Sequence, residues 1–220
     1  MLFLVISIAL ISQIRAESAH KIIAETQSGR TFEATTVDLC DTFVRLGPAP
    51  DGTSIADPVV YIRGLGELPN LTELSVLLFS QIASYEFLEG VPGIRSLTIS
   101  LCRLENLDFL RYLPELRHLH IDSCRNAEIG SILPDRKLDL SSNPNIQTII
   151  FHNCGFTVLP KLIGVPESLR RIDLSVNEMT VSVDDFEVLD GYRSIETVVL
   201  WGNDVEDAVF DRYANIEKTE

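Results

Sequence analysis

Apolar and polar residues alternate in the stretch from Ile94 to Leu104, IRSLTISLCRL. Leu97 and Ile99 alternate with the hydroxyl-bearing residues Ser96, Thr98 and Ser100. This alternation predicts a short strand with one buried and one exposed face. Cys102 and Leu104 then turn the chain back towards the interior. A single strand of this kind cannot bury its apolar face alone, so it requires neighbours of the same type.

Six copies of the pattern L-x-x-L-x-L-x-x-N/C-x-L occur along the chain. Their apolar and N/C positions are Leu71, Leu74, Val76, Phe79; Ile94, Leu97, Ile99, Cys102, Leu104; Leu116, Leu119, Ile121, Cys124; Ile146, Ile149, Phe151, Cys154, Phe156; Leu169, Ile172, Leu174, Asn177, Met179; and Ile195, Val198, Leu200, Asn203, Val205. Successive copies are 23, 22, 30, 23 and 26 residues apart. Because about three repeats are enough to bury a continuous core, the sequence predicts a repeat solenoid.

These copies resemble the leucine-rich-repeat family. The resemblance implies an α/β solenoid, a horseshoe with a parallel concave β-sheet and short helical or irregular convex segments. It also implies that the N/C residue points inward and hydrogen-bonds the backbone of the turn. The cysteine-rich flanking caps common in extracellular members of the family are missing from both ends of this sequence.

The 30-residue interval contains one further fragment, RKLDLSSNPNI, with Leu138, Leu140 and Asn143 at pattern positions. Leu138 precedes Ile149 by only 11 residues, which is too short for a complete turn of a solenoid. The fragment is therefore either a degenerate strand that has lost its return loop or an irregular insertion on the convex side. The length of a repeat favours the insertion.

The chain is predicted to divide into three parts. Residues 1–16 fit a secretory signal peptide, because an apolar run is followed by polar residues and a small residue, although the run has no preceding Lys or Arg. Residues 17–58 form an N-terminal cap with a hairpin at Ser28-Gly29, and residues 59–220 form the repeat domain. PVVYIRGL is predicted to be an irregular first strand, and VEDAVFDRYANIEK a helix over the last one.

Charge excludes some classes of partner. The net charge is −14, and residues 178–220 carry 12 acidic and 3 basic residues, so neither nucleic acid nor an anionic membrane is expected as the main partner. No run of 18 apolar residues predicts membrane insertion, and the oligomeric state stays open. Catalytic motifs and metal-type Cys-x-x-Cys pairs are absent from the sequence, which favours a non-enzymatic protein without a cofactor.

Cysteines and asparagines are assigned from the pattern. The cysteines at N/C positions are interpreted as reduced and structural, whereas Cys40 lies in the cap without an evident partner. Asn70 begins the sequon Asn-Leu-Thr just before a predicted strand, so we expect a glycan there if the chain is secreted.

The concave face predicted by the repeats is a candidate ligand-binding surface. Its selected outward residues are Glu73, Ser75, Thr98, His118, His120, Asp122, Ile150, His152, Arg171, Asp173, Val199 and Trp201. Mixed polarity with an aromatic anchor is typical of protein recognition. His118, His120, Asp122 and His152 also raise a metal-site hypothesis, against which stands the simpler interpretation of a polar face.

The leading hypothesis is a secreted recognition protein that binds a protein or pathogen-surface ligand through this face. The short, secreted repeat array loosely resembles small leucine-rich-repeat immune proteins of insects, which implies a role in innate immunity. The alternative is a structural protein that assembles through its acidic C-terminal edge.

Overall fold

The computed structural model describes residues 22–36, 43–46, 59–77, 82, 84–126, 130–133, 135–189, 192–212 and 216–217. Three subjects of the sequence predictions lie outside these residues: the signal peptide at residues 1–16, Cys40 and Phe79. The division into signal, cap and repeat domain therefore stays a prediction.

The described strands and helices are short. In chain order the strands are β1 Ile22–Thr26, β2 Thr31–Thr36, β3 Phe43–Leu46, β4 Val59–Arg63, β5 Glu73–Leu77, β6 Ser96–Ser100, β7 His118–Asp122, β8 Lys137–Asp139, β9 Thr148–His152, β10 Lys161–Ile163, β11 Arg171–Asp173, β12 Thr180–Val181, β13 Thr197–Val199, β14 Asp204–Val205 and β15 Ile216–Glu217. The α-helices are α1 Val183–Phe186 and α2 Asp207–Arg212. The 3₁₀ turns are Leu65–Glu67, Glu86–Gly90, Asp108–Tyr112 and Glu187–Leu189.

The six repeat strands, β5, β6, β7, β9, β11 and β13, pair in parallel and in sequence order. Their inward side chains are almost fully buried; Leu97 and Ile99, for example, have no exposed surface. Burial of apolar surface at the same positions in each repeat joins the strands through one continuous core. The chain thus folds as an α/β leucine-rich-repeat solenoid, as the sequence predicted.

The fragment around Leu138 lies outside the main sheet. β8 pairs with β10 in a separate two-stranded parallel sheet, while β7 pairs directly with β9, with Leu119 opposite Ile149. The fragment is therefore no strand of the main sheet, as the favoured interpretation held, but it is a regular paired strand and not the irregular insertion that was expected. The fragment is nevertheless part of the core, because Leu138 and Leu140 are buried and the Asn143 amide donates to the carbonyls of Leu110 and Leu113 at 2.9 and 2.8 Å.

The predicted N-terminal hairpin forms from β1 and β2, and Gly29 takes a positive φ of 83° in its turn. The edge of β5 is covered by β3, to which β2 is antiparallel. The expectation that PVVYIRGL opens the solenoid is wrong, because β4 pairs with β1 at the far end of the sheet. An antiparallel partner there satisfies the outer edge of the hairpin, which the repeat pattern cannot indicate.

The convex segments are short helical turns, as predicted. Phe109 and Leu110 in the turn Asp108–Tyr112 are buried, and α1 begins with a capping box between Ser182 and Asp185. The last helix is shorter than predicted: α2 ends at Arg212, and β15 then extends the sheet beside β13. No helix within the described ranges is long and apolar enough to cross a bilayer.

Candidate binding face

Three rows of side chains cover the outward face of the sheet, which we call the concave face. The first row is Glu73, Ser96, His118, Thr148, Arg171 and Thr197; the second is Ser75, Thr98, His120, Ile150, Asp173 and Val199. The third contains Leu77, Ser100, Asp122 and His152 and continues past the ends of β11 and β13 with Ser175 and Trp201. Neighbours in a row lie about 4.8 Å apart. All twelve predicted binding residues are in these rows.

Inward residues just beyond the strands hold the face in place. The Cys124 thiol donates to the carbonyls of Asp122 and Ile99 at 3.3 and 3.5 Å, and Cys102 and Cys154 repeat the arrangement one strand away on either side. These three residues, the cysteine ladder, are buried and reduced. Inward hydrogen bonding at the N/C positions is therefore confirmed.

Burial also makes the cysteine ladder unreactive. Burial raises the pKa of the Cys154 thiol to about 12, and the neighbouring Cys102 thiol together with burial raises the pKa of Cys124. Because the thiolate is the nucleophile and the metal ligand, neutral buried thiols support packing rather than chemistry.

In the later repeats an asparagine takes the place of the cysteine and makes shorter hydrogen bonds to the backbone. The Asn177 amide donates to the carbonyls of Phe151 and Leu174 at 2.8 Å each, and its oxygen accepts from the backbone N–H groups of Cys154 and Phe156 at 2.9 and 3.2 Å. Asn177 is 5% exposed, so these bonds are shielded from water. The side chain therefore joins two successive repeats at the end of β11.

A residue with a left-handed backbone conformation lies between the strand and the N/C residue. At this position five repeats have a residue with a positive φ: Leu101, Ser123, Asn153, Val176 and Gly202. The N–H groups of the first four donate to the carbonyl of the third-row residue on the following strand, at 2.6 to 3.3 Å. The left-handed conformation thus extends the backbone hydrogen-bond ladder past the end of each strand. It also leaves the Leu101 side chain 52% exposed beside the face.

Asp122 and His152 form a polar contact between neighbouring strands of the concave face. The His152 Nδ1 atom lies 2.8 Å from Asp122 Oδ1, and the Ser123 hydroxyl donates to the same oxygen at 3.2 Å. The contact exists because β9 follows β7 directly in the sheet, which places the two residues opposite each other. No described hydroxyl or thiol is hydrogen-bonded to the His152 ring, so the pair lacks the nucleophile that an acyl-transfer site would need.

The proposed gathering of three histidines around Asp122 is wrong. His118 lies in the first row opposite Thr148, and His120 lies in the second row opposite Ile150. His152 contacts Asp122 at 2.8 Å, whereas no hydrogen bond joins Asp122 to His118 or His120 in the described part of the chain. Within the described part of the chain, no three histidine, cysteine or carboxylate residues are grouped so that they would hold a metal ion.

The C-terminal third of the face combines a polar cluster with an aromatic ring. Asp173 receives hydrogen bonds from the Ser175 hydroxyl at 2.6 Å and from Arg171 at 3.3 Å. Trp201 is 48% exposed, whereas Val199 in the second row is only 6% exposed and offers little surface to a ligand. A ligand at this end would therefore meet the indole ring first.

A line of arginines along the start of the strands was missed by the sequence predictions. Arg95, Arg117 and Arg170, here called the arginine rim, each follow the first apolar position of a repeat and are exposed. The signal was present in the sequence, because the same residue type recurs at one repeat position. It was overlooked because only the positions between the strand's apolar residues were assigned to the face.

Comparisons with known proteins give structural likeness but no match at the level of sequence. No protein-family model matches the chain, and no curated protein sequence matches it. Among solved structures, the chain is similar to a crystal structure of an internalin, InlF, from Listeria monocytogenes strain 4b F2365, with a TM-score of 0.43 and 13% sequence identity. The match covers 74% of this chain and 58% of the internalin chain.

Proposed function

We propose that this chain is a secreted, non-enzymatic recognition protein that binds a protein ligand through its concave face. The exposed Trp201 at the end of three in-register rows carries the proposal. Aromatic residues are enriched at the energetic centres of protein interfaces, and the surrounding hydroxyl and imidazole groups supply hydrogen bonds for specificity.

Secretion belongs to the same proposal. The apolar run in residues 1–16 supports it, and Asn70 of the sequon is exposed in a turn before β5, where a glycosyltransferase has access. The loose resemblance to small insect immune proteins extends the proposal to a pathogen-surface ligand and a role in innate immunity. Expression with and without residues 1–16 in eukaryotic cells, followed by measurement of protein in the medium, tests export separately from binding.

The test of binding is capture of a partner from the native extracellular fluid on immobilised full-length protein. Trp201→Ala removes the aromatic anchor, and Thr98→Arg places a long charged side chain in the middle row of the face. Thr157→Arg is the matched control, because Thr157 is exposed outside the repeat strands and the substitution is identical. We expect both face variants to lose the partner and the control to retain it.

The alternative, assembly through the acidic C-terminal edge, is tested in the same experiment. Asp204, Glu206, Asp207 and Asp211 are exposed in or between β14 and α2, the last elements before β15. Replacing these four residues by Asn or Gln removes charge with little change in shape. A partner lost on this replacement but retained by Trp201→Ala and Thr98→Arg would overturn the concave-face proposal in favour of the edge.

A further inference from the structure

Charge is distributed unevenly along the solenoid. Residues 17–94 carry a net charge of −7 and residues 178–220 a net charge of −9, whereas residues 95–177 between them carry +1. Both ends of the repeat array are thus strongly acidic, and the middle is not. A negatively charged ligand is repelled by both ends and is directed towards the centre of the sheet.

The arginine rim lies within this central part. The Arg117 N–H donates to the Arg95 carbonyl at 2.8 Å, and Gln147 continues the ladder to Arg170 through bonds of 2.8 and 2.9 Å. Successive members of this ladder are therefore neighbours across the sheet, about 4.8 Å apart. Arg95 and Arg117 stand side by side, and Arg170 follows two strands later.

The two adjacent arginines are unpaired within the part of the chain that the structure describes. Neither Arg95 nor Arg117 makes an ion pair or a side-chain hydrogen bond with any residue in the described ranges, whereas Arg170 is paired with Glu196 at 3.2 Å. Two exposed like charges on neighbouring strands repel each other, and a bound carboxylate would relieve the repulsion. Arg95 and Arg117 are therefore the members of the rim that are available to a ligand.

The surface beside them is suited to an anion. Across β6, β7 and β9 the first two rows of the concave face contain no carboxylate; they are Ser96, Thr98, His118, His120, Thr148 and Ile150. Their hydroxyl and imidazole groups can donate hydrogen bonds to carboxylate oxygens. The nearest acid of the third row, Asp122, is already engaged by His152.

We propose that the arginine rim, through Arg95 and Arg117, receives an extended acidic segment of the protein ligand. The inference rests on the proposed function and names the chemistry of the partner. Carboxylates on one side of an extended segment are about 6.8 Å apart, which lies within the range that two flexible arginine side chains can cover. A polyanion binds through many charges. Two unpaired arginines on a chain of net charge −14 are too few to bind one.

The direct test uses a fluorescein-labelled peptide of six Glu-Ser repeats and measures its anisotropy with the full-length protein. We expect binding that weakens as salt rises and is absent for the matching Gln-Ser peptide. Arg95→Glu/Arg117→Glu should weaken binding by about 10-fold or more, since an exposed ion pair contributes up to about 5-fold in affinity. Arg103→Glu/Lys137→Glu, which changes the charge equally at exposed sites outside the repeat strands, should change it less than about 2-fold.

Other outcomes overturn the inference. Equal weakening by the two double variants would mean that only net charge matters. Binding of a heparin-derived octasaccharide that depends on Arg95 and Arg117, without binding of the acidic peptide, would assign the rim to a sulfated glycan instead. Circular dichroism of each variant confirms that a loss of binding is not a loss of folding.

The partner captured from native fluid separates this inference from the proposed function. If Trp201→Ala and Thr98→Arg abolish capture while Arg95→Glu/Arg117→Glu leaves it unchanged, the concave face binds a protein but the rim does not hold an acidic segment. If capture survives all three changes, the proposed function itself is overturned.

Discussion

Replacing Asn177 by leucine tests the device that joins successive repeats. Leucine has a similar volume and suits the apolar surroundings, so the substitution removes hydrogen bonds while nearly filling the site. The backbone N–H groups of Cys154 and Phe156 donate hydrogen bonds to the Asn177 side-chain oxygen at 2.9 and 3.2 Å. Both buried N–H groups would lose their acceptor in the variant.

The expected cost follows from these two groups. A buried donor left without a partner costs about 1 to 3 kcal/mol, so the pair gives about 4 kcal/mol. The Leu174 carbonyl adds little, because Asn203 also donates to it at 2.9 Å. For a chain of this length about 4 kcal/mol corresponds to a fall in Tm of about 10 °C, and it is a large part of the roughly 5 to 15 kcal/mol that a domain possesses.

Thermal and urea unfolding followed by circular dichroism measure the effect, with two graded controls. Asn203→Leu removes the acceptor of one backbone N–H, that of Met179, at a half-buried position, and should cost about 1 to 2 kcal/mol. Asn145→Leu removes one exposed contact of 3.4 Å and should change stability by less than about 0.5 kcal/mol. A Tm for Asn177→Leu close to that of Asn145→Leu would refute the assignment of the inward asparagine as the joint between repeats.

Three other predictions concern the thiols, the glycan and a glycine. In a Cys40→Ser background the cysteine ladder should react with a thiol reagent at pH 8 only after unfolding. Because burial raises the pKa of the Cys154 thiol to about 12, the contribution of this thiol to stability is full below about pH 8.5 and should be lost as pH rises towards 12. Secreted protein from eukaryotic cells should shift in mobility on glycosidase treatment, and Asn70→Gln should abolish the shift. Gly155→Ala should destabilise the protein strongly in urea unfolding, because Gly155 has a φ of +73° and a Cβ atom there would lie 2.2 Å from the Gly130 carbonyl oxygen. Gly90→Ala is the control and should be nearly neutral, because a Cβ atom at Gly90 would have nothing within 4 Å.

The sequence by itself determined which residues point inward and which point outward in each repeat. Leu97, Ile99 and Cys102 could be placed because the alternation of a strand is a local property, set by residues two positions apart. Repetition of the pattern then determined the fold class, since strands that each have one apolar face must stack to bury it. The hairpin at Ser28-Gly29 was equally local.

Only the tertiary structure decided which residues are neighbours across strands. Leu138 and Leu140 satisfy the repeat pattern as well as a true repeat strand does, yet β8 pairs with β10 and leaves β7 beside β9. β4 likewise has strand-forming residues, but its partner is β1. Pairing depends on edges that are free elsewhere in the fold, and those edges are not encoded in the strand's own residues.

The candidate site shows the same division. Alternation placed His118, His120 and Asp122 on one face, but it gave neither the distances between them nor their exposed areas. The register of β7 against β9 brings His152 to Asp122 and sets His118 and His120 in other rows. The direction of a side chain is a local consequence of strand geometry, whereas contact and exposure depend on every neighbouring strand, and only the assembled sheet decides them.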